Sequence, residues 1–160
     1  MNMLNLSVKN VEVIKAKISL FTEHIKDWRP LYDIFRDEFH AIMREQFASE
    51  GAHGGAAWKP LSSAYSAWKA KQNVGRSILV FSGNLNSSLV KNGDPNEVFE
   101  TDKTSMKIGT SDKKAVWHHF GTQYLPERKI IKFSKEDSTR WVKQAHEWII
   151  LQLRGAGLGK

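Results

Sequence analysis

SILVFSGNLNSSLVKNGDPNEVFETDKTSMKIGTSDKKAVWHHFGT, residues Ser77 to Thr122, carries the densest punctuation of the chain, and the fold class turns on it. An apolar run, Ile78 to Phe81, stops at Ser82-Gly83; the spacing Leu85, Leu89, Val90 then puts one apolar face on a short helix, with Ser82 as its expected N-cap. The run itself reads as a strand or extended arm feeding that helix. Asn92-Gly93-Asp94-Pro95 breaks the pattern, and Val98-Phe99-Glu100 and Met106-Lys107-Ile108-Gly109 flank a turn at Thr101 to Thr104, which predicts a hairpin. Ala115 to Phe120 reads as a short helical segment closed by Gly121, a residue free to take the left-handed conformation that ends a helix.

Working outward, Val11, Ile14, Ile18, Phe21 and Ile25 recur at helical spacing, and the helix they form should stop near Trp28, because Pro30 disfavours helix at Arg29. Pro30 suits the first turn of a second helix, whose stripe Leu31, Ile34, Phe35, Phe39, Ile42, Met43, Phe47 makes it the longest amphipathic element. Before these, residues 3–8 alternate as a half-buried strand would. Gly51 to Ala57 is rich in glycine and alanine and reads as a mobile loop; Trp58 and Pro60 re-enter structure, and Ser62 or Ser63 caps a short helix bearing Tyr65 and Trp68. Arg128 to Phe133 reads as strand-like. Ser134-Lys135-Glu136-Asp137 has capping-box spacing ahead of a last helix to about Leu153, with Trp141, Ala145, Trp148 and Ile149 on one face and Ile150, Leu151 and Leu153 widening it. A stripe that broad predicts burial against a neighbour, so Trp141, Trp148 and Ile150 are the interface candidates.

The 160 residues bound the chain to one domain, here 1–154 with a flexible basic loop near 51–76, and residues 155–160 as a frayed, disordered tail. The expected fold is α+β: a small antiparallel sheet, built from the N-terminal strand, the 96–109 hairpin and the Ile78 and Ile131 segments, packed by the long amphipathic helix and the C-terminal helix. No apolar run approaches the roughly 20 residues that cross a bilayer, and the N-terminus lacks a secretory pattern, so no membrane partner and a cytoplasmic origin are expected. The chain has no Cys, which excludes disulfides and thiolate chemistry.

The formal charge of +7 is uneven: residues 51–91 hold Lys59, Lys69, Lys71, Arg76 and Lys91 and no acid. Such a segment is either a solvated basic loop or a surface for an acidic partner or DNA. Trp58 and Trp68 within it could offer stacking faces to a single strand, though such residues more often anchor a loop to the core. His118-His119 is not a metal pair, because adjacent side chains on a helix point about 100 degrees apart; His118 is expected as a structural residue hydrogen-bonded near Gly121. Ser82-Gly83 lacks the frame of a nucleophile elbow and Gly54-Gly55 that of a phosphate loop. No catalytic, cofactor or metal residue is assigned, and an enzyme is the less favoured class.

The order Leu79-Val80-x-Ser82-Gly83-x-Leu85, then a hairpin ending Ile108-Gly109-Thr110, then Trp117-His118-x-Phe120-Gly121-Thr122, resembles the phage virion morphogenesis family of tail completion proteins, the Mu-type group. Upstream, Trp58-Lys59-Pro60-Leu61-Ser62 with Tyr65 and Lys69 is similar to that family's opening motif. One departure lies at Arg128-Lys129-Ile130-Ile131-Lys132, where the family carries Arg-Pro and an apolar pair ending in Gly. The resemblance implies a tail-completion-like fold and a structural virion protein of the tail or neck, assembled in the host cytoplasm. It would act in head–tail joining as a ring of copies, on the scale of a hexamer, around the DNA channel. Its partners would be itself, other neck and tail proteins, and packaged DNA by non-specific contact. The alternative from another class is a cytoplasmic nucleic-acid-binding module using the basic 51–91 segment.

Overall fold

The computed structural model describes residues 8–72 and 77–159. In chain order these form α1 (Val8–His24), α2 (Arg29–Ala48), α3 (Ser63–Lys71), α4 (Asn84–Val90), β1 (Glu97–Thr101), β2 (Met106–Thr110), α5 (Lys113–Phe120) and α6 (Lys135–Gly155). The fold is α+β, with one two-stranded antiparallel sheet among the described residues.

Helix α2 is the beam. Pro30 occupies its first turn, where a missing N–H removes nothing from the helix. The corner before it is held from outside: Trp28 N donates to Lys103 O at the hairpin turn, 2.8 Å, and the Trp28 ring leans on Trp148 of α6 at 5.5 Å. Phe39, Ile42, Met43 and Phe47 of α2 meet Leu85 and Leu89 of α4, with Trp58, Ile78 and Ile130 completing the core. At about 2 kcal/mol for each large apolar side chain fully buried, this cluster is the main source of stability.

The hairpin pairs Glu97 with Thr110 and Phe99 with Ile108. It is fastened to α2 by Arg36, whose Nε donates to Glu97 Oε1 at 2.7 Å while its guanidinium covers the Phe99 ring at 4.4 Å. It is fastened to α4 by the hydroxyl pair Ser88 and Thr110, 2.7 Å apart. Glu97 is buried, which works against its charge, but the hydrogen bonds from Arg36 and Gly93 N outweigh that and hold its carboxyl below the ordinary range.

Helix α6 begins in a complete capping box. Ser134 Oγ accepts from Asp137 N at 3.0 Å, and Asp137 Oδ2 accepts from Ser134 N at 2.8 Å. Asp137 is fully buried and also pairs with His53 Nε2 at 2.8 Å and Arg140 at 2.9 Å; burial works against its charge, but the Ser134 hydrogen bonds, then His53, hold its carboxyl below the ordinary range.

Several sequence expectations are corrected. The expected strand at residues 3–8 lies outside the described residues except Val8, which begins α1. The Ile78 and Ile131 segments do not join the sheet. Ile78–Leu79 forms a turn with Leu79 at φ +62, and Ile78 N is taken by the Glu50 carboxylate at 2.8 Å. Around Ile131, side chains take the place of a ladder: Lys129 O accepts from both Gln46 Nε2, 3.0 Å, and Trp58 Nε1, 2.9 Å. In both segments the apolar run reported burial, not strand. Ser82 is not the N-cap of α4; Gly83 is, at φ +85.

The 51–57 stretch, expected to be mobile, is tied down by Gly51 N to Gln46 O at 2.8 Å, Gly54 N to Gln46 Oε1 at 2.9 Å and Trp58 N to Glu50 O at 2.7 Å. A Cβ on Gly51, at φ +94, would fall 2.4 Å from the Trp58 ring, so glycine is needed there twice over. At the C-terminus, expected to fray, residues 155–158 carry a helix-ending turn. Ala156 is buried, Leu158 N bonds Leu153 O and Gly157 N bonds Arg154 O in a Schellman closure, and Lys17 Nζ reaches Gly157 O at 2.8 Å.

Candidate partner-binding groove

The motif pieces that lie far apart in the sequence converge on one groove of about 850 Å³. One wall is the Lys59–Ser62 segment with Tyr65 and Lys69 of α3; a second is the turn from Leu79 to Gly83 with Leu85 of α4. The third comprises Lys114 and His118 of α5 and the Tyr124–Pro126 segment, and Arg128 also lines the groove.

Arg128 is the clamp that brings these walls together. Its Nε donates to Lys59 O at 2.9 Å, an Nη donates to Pro60 O at 3.2 Å, and its backbone N donates to His118 O at 2.7 Å. The guanidinium is buried and bonded to carbonyls, and burial lowers its pKa while leaving it charged. Two backbone features shape the third wall. Asp112 caps α5 through Lys114 N at 3.0 Å. Gly121, at φ +73, ends the helix where a Cβ would lie 2.9 Å from Glu127 N, so only glycine lets the chain fold back toward Arg128.

His118 and His119 point to different places, as adjacent helical residues must: His118 lines the groove, and His119 lines a smaller depression of about 330 Å³ beside β2 with Phe120 and Ile131. The expected ring hydrogen bond of His118 near Gly121 is not formed. Its Nδ1 is buried without a partner, and burial, with the Arg128 charge next, pushes its pKa below 6.5 and keeps the ring neutral. Among the described residues no group of three or more His, Asp or Glu is placed to hold a metal ion.

Of the motif residues, Pro60, Leu61, Tyr65, Ser82, Gly83, Leu85 and His118 line the groove. Trp58 does not; it is buried beside Phe47, ring centroids 5.4 Å apart. Gly109 is buried in β2 against Ile131, Phe120 is exposed, and Thr122 Oγ1 accepts from Tyr124 N and Leu125 N in the loop. Trp68 is exposed and stacked with Tyr65 at 5.5 Å and with Phe81 at 5.7 Å.

The basic candidates scatter. Lys59 is exposed at the groove, Lys71 and Lys91 are exposed outside it, and Arg76 lies outside the described residues. Lys69 is a correction: it is buried, with Nζ on Ser77 O at 2.6 Å, and burial lowers its pKa, so it does not face a partner as a surface cation. The interface candidates are corrected too. Trp148 is buried on Trp28, Trp141 stacks on Phe35 at 4.8 Å, and Ile150 is half-buried, so the wide stripe of α6 is largely consumed inside the chain. Sequence reasoning missed Lys114 and Tyr124 as groove residues; an aromatic three residues past a glycine helix stop, ahead of Leu125-Pro126, was the available signal.

The described residues thus form a packed scaffold with an apolar, cationic groove and exposed apolar side chains. The sequence profile of the phage virion morphogenesis family matches residues 9–149, and the chain belongs to that family of structural and morphogenetic phage proteins. No curated protein and no solved structure matches it. No described helix is long and apolar enough to cross a membrane.

Proposed function

We propose that this chain is a tail-completion protein of the Mu-type group that acts at the neck in head–tail joining, as a closed ring of copies around the channel through which DNA leaves. Family membership supplies the setting. The observation that carries the self-association is α1: Val11, Ile14 and Ile18, on one face of the helix, are all exposed, as are Val13 and Leu20 on the opposite side, and α6, which packs on α1, has exposed Val142 and Leu151. An apolar surface of this kind on a lone chain marks a contact site. A ring requires a heterologous interface that closes on itself and leaves distinct faces toward head and tail; α1 supplies one side of it in place of the consumed Trp141–Trp148 stripe. The excess of positive charge suits a lining for DNA.

The nucleic-acid-module alternative loses two supports, because Trp58 and Lys69 are both buried. Electron micrographs of the purified chain separate the two readings. Rings with a central opening and a hexamer-scale mass support the connector; a monomer that binds short DNA with a steep salt dependence supports the module instead.

A further inference from the structure

The groove combines apolar walls with charge of a single sign. Leu61, Leu79, Phe81, Leu85, Tyr124 and Pro126 supply the walls. Lys59, Lys69, Lys114 and Arg128 supply the charge, and no Asp or Glu lines it. Lys69 and Arg128 are buried with their bonds made to the carbonyls of Ser77, Lys59 and Pro60. Carbonyls satisfy donors but do not neutralise charge; although the Glu50 carboxylate offsets part of the Lys69 charge, Arg128 and the exposed Lys59 and Lys114 keep the groove at a positive potential. His118 also lines the wall, with its Nδ1 enclosed and unpartnered.

We infer that this groove docks an extended peptide segment of a different protein, one that sets a carboxylate against the cationic groups and apolar side chains against the walls. Nucleic acid fits less well. Two of the cations are sunk and engaged, the walls are largely aliphatic, and the Trp68 ring is already stacked with Tyr65 and Phe81. A second copy of this chain is a poor donor, because every Asp and Glu lies within the described residues, in or between the packed elements, and none in residues 1–7 or 73–76. That the partner is another particle protein rests on the assembly reading above; the chemistry of the groove does not.

The test is a random octapeptide display library panned against the immobilised full chain, followed by fluorescence anisotropy on the enriched peptides made synthetically. The expected consensus has Asp or Glu next to an aromatic or branched aliphatic residue. Lys114→Glu and Tyr124→Ala, both at exposed positions, should each weaken binding about tenfold or more, and Lys114→Glu should gain affinity for the same peptide with its acid changed to Lys. Lys143→Glu, exposed on α6 and away from the groove, should leave binding unchanged. The proposal is overturned by a consensus without an acid, by no consensus, by groove variants that bind normally, by a consensus copying this chain's own sequence, or by displacement with oligo-dT at equal charge. Peptide binding by a chain that forms no rings would remove the connector reading and keep this one; rings that bind no peptide would do the reverse.

Discussion

Helices α1 and α2 are written in the same pattern and meet opposite fates. Val11, Ile14, Ile18 and Phe21 are spaced as regularly as Leu31, Phe35, Phe39 and Ile42. Yet Leu31 and Met43 are 0% exposed, while Ile14 and Ile18 are 50% exposed. Periodicity states that a helix face wants cover and is silent on who provides it. For α2 the cover comes from α4, the hairpin, Trp58 and Ile130. For α1 the fold provides α6 along part of its length only, and the remaining stripe stays exposed; in the proposed ring a neighbour would complete it.

Substitutions should therefore divide sharply by helix. Phe39→Ala removes a fully buried ring and is expected to cost about 3–5 kcal/mol in urea unfolding. Ile14→Ala, on an equally regular but half-exposed stripe, should stay within about 0.5 kcal/mol. Equal losses at the two positions would erase the distinction. Asp137→Ala takes the acceptor from the Ser134 cap, His53 and Arg140 at once and should cost about 3 kcal/mol by the same assay. Gly121→Ala should cost about 2 kcal/mol, from the left-handed backbone and the approach to Glu127 N. It should also loosen the groove while leaving α1 as it is.

Acid exposes a gentler difference. His40, His118 and His119 are all held below 6.5, in each case chiefly by burial. For His40 this holds even though Glu97 Oε1 lies 3.1 Å away and pulls the other way, because burial, with the Arg36 and Arg44 charges, outweighs it. The unfolded chain takes up these protons first. Stability is thus full above about pH 6.5 and is lost as pH falls below it, toward the folded values. Melting curves from pH 7.5 to 5.5 should show that decline, and His118→Gln should flatten it; a rise in melting temperature on acidification would contradict the assignment.

Much of the framework was legible in the sequence. The α2 stripe, the Pro30 start, the hairpin, the Gly121 stop and the Ser134–Asp137 cap are all local signals, and local chemistry decides them. The losses came where tertiary partners replace a local rule. Ile78–Phe81 and Arg128–Phe133 have the composition of strands, but Glu50, Gln46 and Trp58 capture their backbone groups with side chains, which no window of sequence displays. The groove was half legible. Its motif residues were singled out by resemblance, yet their convergence depends on Arg128 reaching Lys59 and Pro60 across a sequence separation of 69 and 68 residues. Trp148 shows the opposite error, a wide stripe read as an outside surface when Trp28 was waiting inside.

The account stands most directly on the α1 stripe, and the mass of the chain in solution tests it. Light scattering across a concentration series should show wild type assembling beyond the monomer, and the double variant Ile14→Ser/Ile18→Ser staying monomeric with an unchanged melting temperature. A wild type that remains a monomer throughout, or a double variant that assembles equally well, would contradict it.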